Sequence, residues 1–319
     1  MPEQYAAEGS RLEHSLSESM LEPYLRKADK ERVTNAVKQS NQTLRSEIRS
    51  ITGLSLSDSV SGITNQIPVR IIDGLPSALT QTTDQLSEWH WFLLFNRLLL
   101  SSARNGLDVL ITQQELIQRY SPSSIQESAS VVRSRDLIDE ILKNEVEQKI
   151  IDAAKGINTD ILGCYWIGKP EVNIFWMPIA IFSRVLGQDI ADLTRVVLCH
   201  ELVHAYTHCG RDIDGVSWHT SEFAQCDIMI VEGLAQYYTD LIIGKLDAKI
   251  GGVRSAFQAL KSAQSAAYTD YSNWKIGNNS VSPEVVRLAM LETRNNSDLV
   301  GNYELFKAGL EGAHNHIKS

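Results

Sequence analysis

The residues best equipped for chemistry form one short run, His200-Glu201-Leu202-Val203-His204. Within a helix, a spacing of four puts both imidazoles on one face about one turn apart, so two ring nitrogens can meet one tetrahedral metal ion at roughly 2.0 to 2.1 Å. Glu201 is turned by about 100° from His200 and reaches the edge of such a site. It is therefore placed to accept a proton from water at the metal. In a chain of this composition the pattern arises by chance about 0.013 times. The bland alternative is two core histidines on an amphipathic helix.

Two histidines leave a catalytic zinc site one protein ligand short. Glu232, in IMIVEGLAQYY, is the best candidate, because a carboxylate there interrupts an apolar helical run. Burying it unpaired costs several kcal/mol, so the position needs either a cation or water. Zinc would supply the cation; a solvated seam with a Lys or Arg partner is the other reading. Gly233 weakens a helix by about 1 kcal/mol relative to Ala, which makes sense where another group packs close by. Other ligand sets compete less well. His208 lies about 12 Å from His200 along a straight helix and is expected near the rim. Glu222, in HTSEFAQ, reads as a helix N-terminus, where an acidic residue already has a dipole reason to sit. Cys209 and Cys226 flank the intervening loop, as a possible pair or as ligands. Trp89, His90 and Trp91 read as core and interface residues of an apolar helix.

HELVH followed by EGLAQYY, with Glu232 placed 28 residues beyond His204, resembles the gluzincin, or peptidase MA-like, group of zinc metallopeptidases. The resemblance covers about residues 160 to 246. It implies a zincin-like fold, one Zn2+ held by His200, His204 and Glu232, and Glu201 as general base in hydrolysis of a peptide or protein substrate. It also implies a small sheet before the HExxH helix, whose edge strand holds the substrate backbone by β-addition. EVNIFWMP occupies that place, so Val172 to Trp176 is the expected edge. Two departures stand out. Thermolysin-like members carry an Asp four residues after the third ligand to orient a zinc-bound His, whereas this chain has Gln236; Asp192, Asp227 and Asp240 are unranked substitutes. The oxyanion partner is open among His219, Tyr237, Tyr268 and Tyr271. The metzincin continuation is absent, since Thr207 and Gly210 stand where it needs Gly and His.

Elements that position these residues follow from periodicity. Leu193, Val196, Val197, His200 and His204 predict a helix from about 189 to 208, and Ile228, Val231, Ala235, Tyr238 and Ile242 another over about 221 to 246. Upstream, ILGCYWIG and EVNIFWMPIAIF are short, aromatic and β-branched, which predicts strands, with Pro178 suiting an edge. Residues 1–50 are polar with apolar positions at helical spacing, which predicts one or two solvent-exposed helices. A Ser-, Gly- and Thr-rich linker follows to about residue 83, then an apolar helix with a second one behind it over 84–118, and another from about 134 to 154. The segment NWKIGNNSVSP reads as a polar loop. The expected organisation is a polar helical extension and linker (1–83), a helical region packing on the catalytic part (84–155) and a zincin-like catalytic domain (156–319). The fold class is α+β, predominantly helical.

Composition bounds the rest. The chain has 319 residues, 43% hydrophobic and 22% charged, ordinary globular values that exclude collagenous, disulfide-stapled or mostly disordered classes. A formal charge of −9 with no Lys/Arg block removes the footprint of a nucleic-acid binder. No apolar run approaches the roughly 18 residues of a membrane span, and the first twenty residues carry four Glu and no apolar signal core. A cytoplasmic protein is expected, unless exported by another route. The four cysteines form no CxxC pair and are expected to be reduced. The leading functional reading is zinc-dependent peptide hydrolysis. A zincin-like scaffold that binds a partner or senses metal without turnover is second, and a helical interaction protein with a chance motif is third.

Overall fold

The computed structural model describes residues 25–56, 67–74, 76, 99–100, 102–117, 119, 129–140, 161–213 and 215–318. The chain divides into two compact units, one of Met1–Met20 with Ser77–Ala153, the other of Leu21–Pro76 with Ala154–Ser319. The first shows helical stretches over 102–117 and 129–140, joined by Arg104 donating to Asp139 at 2.6 Å. Trp89, His90, Trp91 and most of the stretch expected to be helical over 134–154 lie outside the described residues. The candidate ligands all belong to the second unit.

That unit opens with α1 (Asp29–Thr52), whose Val33, Ala36, Val37, Ser40, Leu44 and Ile48 recur at three and four and are all buried. Acidic Asp29 and Glu31 in the first turn suit the helix dipole, and Gly53 ends the helix in the left-handed region at φ 67°, where glycine carries no Cβ penalty. The helix is not a solvent-exposed extension: its apolar stripe lies along the HExxH helix, and its Asp29, 1% exposed, is held by Arg184 at 2.8 Å. High overall polarity disguised it, because a one-sided helix needs only a narrow stripe.

Strand β1 (Val69–Ile72) follows, then β2 (Gly163–Trp166) and β3 (Glu171–Phe175). Their order is β1-β3-β2. β3 pairs in parallel with β1, with Val69 opposite Val172, and antiparallel with β2, with Tyr165 opposite Val172. The expected edge at Val172 to Trp176 is thus corrected: β3 is the central strand, paired on both sides. Its Val172 and Ile174, on one face, are fully buried, and Glu171 and Asn173 on the other face are buried as well. β2 is the edge on the other side, paired among the described residues with β3 alone.

The strand expected to continue through WMPIAIF is instead helix α2 (Trp176–Val185). Pro178 falls in its first turn, where an N–H has no intrahelical acceptor and its absence does no harm. The HExxH helix is α3 (Ile190–Cys209), with Asp189 capping it by accepting from the amides of Ala191 and Asp192. Nearly every residue from Leu193 onward is buried except Arg195, so the helix is surrounded rather than amphipathic. Arg294 closes its far end, donating to the carbonyls of Thr207 and Gly210 at 2.8 Å each.

The single helix expected over 221–246 is two: α4 (Thr220–Gln225) and α5 (Ile228–Ile250), separated where Asp227 caps α5 through the Met229 amide at 2.9 Å. Helices α6 (Val253–Ser262) and α7 (Ala266–Thr269) follow, with a 3-10 turn at Asp270–Asn273. NWKIGNNSVSP contains a hairpin of β4 (Lys275–Ile276) and β5 (Asn279–Ser280). Helices α8 (Pro283–Arg294), α9 (Ser297–Val300) and α10 (Tyr303–Lys318) complete the unit. The core gathers on α3, which packs against α1, α2, α5, α6 and the strands β2 and β3. The described fold is therefore mainly helical with a small sheet. None of its helices is long and apolar enough to cross a membrane.

Candidate metal centre

Three buried side chains converge where α3 crosses α5. His200 and His204 stand one turn apart on α3, with ring centroids 4.6 Å apart and planes nearly perpendicular. Their Nε2 atoms are 3.0 Å apart. Glu232, in the second turn of α5, brings Oε2 to 3.1 Å from His200 Nε2 and 3.3 Å from His204 Nε2. Exposure is 6%, 3% and 7% for His200, His204 and Glu232. Tetrahedral ligands bonded at about 2.05 Å to one ion stand about 3.3 Å apart, so this triangle has the size a metal ion requires. Two neutral imidazole lone pairs and a carboxylate aimed at one point repel unless a cation or shared protons intervene, and the set can hold a metal ion.

Burial alone would push the Glu232 carboxyl up, but the adjoining His204 and His200 imidazoles hold it below the usual carboxylate range. Gly233 serves a different neighbour: a Cβ there would come within 2.7 Å of the Trp274 indole, so the missing side chain lets Trp274 pack beside the ligand helix.

Glu201 is 1% exposed and lines, with His200, a cavity bounded by α3, α5, α6 and β2. Gly163 of β2 faces it so closely that a Cβ there would force the Glu201 and Val197 side chains to shift. This is a contact that sequence reasoning missed; a glycine inside a short strand was its signal.

Other expected residues fall as follows. His208 is not at the rim but 2% exposed, with Nδ1 2.8 Å from Tyr165 Oη, Nε2 3.3 Å from Thr220 Oγ1 and its ring stacked on Phe223 at 4.7 Å. Burial, reinforced by Arg294, lowers its pKa to about 4. Glu222 sits in the first turn of α4 and is not one of the converging side chains. Cys209 and Cys226 are free thiols, and Cys209 Sγ lies 3.2 Å from Tyr165 Oη. Asp192 is bound by Arg195 at 2.6 Å, Asp227 caps α5, and Asp240 is held by Arg254 and by Tyr271. Gln236 donates to Gln264 at 2.9 Å. Of the four oxyanion candidates, Tyr268 lines the cavity, its ring 5.8 Å from that of His200. Tyr237 donates to the Val281 carbonyl, Tyr271 to Asp240, and His219 pairs with Ser221.

Comparison of the chain with protein-family models, curated proteins and solved structures finds no match.

Proposed function

We propose that this protein is a zincin-like metallopeptidase: His200, His204 and Glu232 hold a zinc ion, and Glu201 acts as general base on a peptide or protein substrate. The carrying observation is the convergence of two Nε2 atoms and one carboxylate oxygen within 3.3 Å of one another, all buried. A bound zinc ion would supply Lewis acidity, lowering the pKa of water and polarising a carbonyl. Glu201 accepts the proton released from water at its carboxylate and delivers it to the departing amine nitrogen. An intact carboxylate lining the cavity favours catalysis over a binding scaffold, which needs the ligands but no base.

The substrate backbone belongs on β2. In an antiparallel pair, backbone groups alternate between facing the partner and facing outward. The Phe175 amide donates to the Leu162 carbonyl, so Leu162 and Cys164 face β3 while Gly163 and Tyr165 present their N–H and C=O to the open edge. An extended peptide added there runs beside Glu201. Tyr268, lining the same cavity with its ring 5.8 Å from that of His200, is the residue we assign to a developing oxyanion.

The test is Glu201→Gln, which keeps the side chain's shape but cannot accept a proton. Cleavage of a peptide library should fall by roughly 10²-fold to 10⁴-fold with fold and metal content unchanged. Undiminished cleavage by the variant would overturn the mechanism.

A further inference from the structure

The cavity beside Glu201, about 620 Å³ with its open mouth, has two kinds of lining. Phe182, Val197 and Leu260 form apolar walls, whereas Gln236, Gln264 and Ser265 form a polar cluster. Apart from Glu201, no Asp, Glu, Lys or Arg side chain lines it among the described residues. A substrate side chain carrying a charge would lose its hydration there and find no countercharge besides Glu201, which the proposed reaction reserves for water.

The polar cluster is incompletely paired. Gln236 is 3% exposed and gives its Nε2 to Gln264, while its Oε1 is buried without a hydrogen-bond partner among the described residues, as is Ser265 Oγ. Buried acceptors in native proteins are nearly always paired. An unmet carbonyl oxygen and an unmet hydroxyl in one cavity call for a ligand that both donates and accepts. A primary carboxamide does both, and it pairs with another carboxamide in either orientation, since each offers two donors and an acceptor.

We infer that this cavity binds a substrate side chain ending in a primary carboxamide, which makes glutamine the preferred residue beside the bond to be cut. The inference rests on the peptidase reading for its chemistry but not for its binding. The glutamine stem lies against Phe182, Val197 and Leu260, its amide N–H donates to Gln236 Oε1, and its carbonyl accepts from Ser265 Oγ.

Binding is measured by titration calorimetry on the full chain carrying Glu201→Gln, which separates affinity from turnover, using acetyl-Ala-Xaa-Ala N-methylamides with Xaa Gln, Leu, Glu or Lys. The Gln peptide is expected to bind about tenfold tighter than Leu and about a hundredfold tighter than Glu or Lys. Adding Gln236→Leu should erase the advantage of Gln over Leu while metal content stays constant, and Ser265→Ala should reduce it. Equal binding of the Glu or Lys peptide, no binding of any peptide, or a Gln preference surviving both substitutions would overturn the inference. If the ranking holds but the unsubstituted protein cleaves none of the four, the peptidase reading falls and the carboxamide site stands. If it cleaves the Gln and Glu peptides alike, the site falls and the peptidase reading stands.

Discussion

Gly163 and Glu201 are matched across the gap between β2 and α3: a Cβ at position 163 would lie 2.8 Å from Glu201 Cγ and 2.9 Å from its Oε1. Gly163 is not among the glycines with positive φ, so clearance and not backbone freedom requires it. Val197 Cγ1, also at 2.8 Å from that Cβ, closes the other way out. Any side chain at 163 must displace the carboxylate.

Gly163→Ala should therefore lower turnover about tenfold or more, since displacements of order 1 Å at a catalytic group carry large rate penalties. Metal content should be unchanged, because the atoms nearest that Cβ belong to Glu201 and Val197 and not to a ligand side chain. Parallel measurement of kcat and bound metal checks this. Wild-type kcat in the variant would remove Gly163 from its positioning role.

The N-cap of the HExxH helix should matter to stability rather than chemistry. Asp189 accepts from Ala191 at 2.8 Å and Asp192 at 3.3 Å and also takes Arg32 of α1 at 2.6 Å. Asp189→Ala is expected to destabilise by about 1 kcal/mol, read as a lower urea midpoint with an unchanged slope. The exposed ion pair adds little.

How far the sequence alone could reach is clear from particular residues. His200, His204 and Glu232 were identifiable because four-residue spacing and a carboxylate in an apolar run are local signals. α1 reads as a solvent-exposed extension because partner choice is tertiary: nothing within residues 29–52 says that the helix packs against α3. The sheet order was hidden for the same reason. β1 comes from a stretch read as linker, and only its pairing turns EVNIF from an edge into a centre. WMPIAIF misled because a short, continuously apolar run fits a buried strand and a buried helix equally well. The Gly163 contact needed two elements 38 residues apart, and no periodicity reports that.

His208 should make stability depend on pH. Burial first, then Arg294, brings its folded pKa to about 4, below the ordinary 6.5. Tyr165 of β2, Thr220 and Phe223 of α4, Cys209 and Arg294 of α8 surround it. The folded state thus keeps the ring neutral, and unfolding takes up a proton between those two values. The contribution is fully present above pH 6.5 and is lost as pH falls toward 4. Wild-type protein should lose on the order of 2 kcal/mol more than His208→Gln between pH 7 and 4. Parallel pH profiles of unfolding free energy for the two proteins would refute this.

The central claim is that one metal ion sits on His200, His204 and Glu232, and elemental analysis of the purified protein tests it most directly. About one zinc per chain is expected in the wild type, and a small fraction of that in the His200→Ala, His204→Ala double variant, whose far-ultraviolet circular dichroism should still report the helical fold. Full zinc occupancy persisting in the folded double variant, or a wild type that takes up no zinc when it is supplied, would contradict the account.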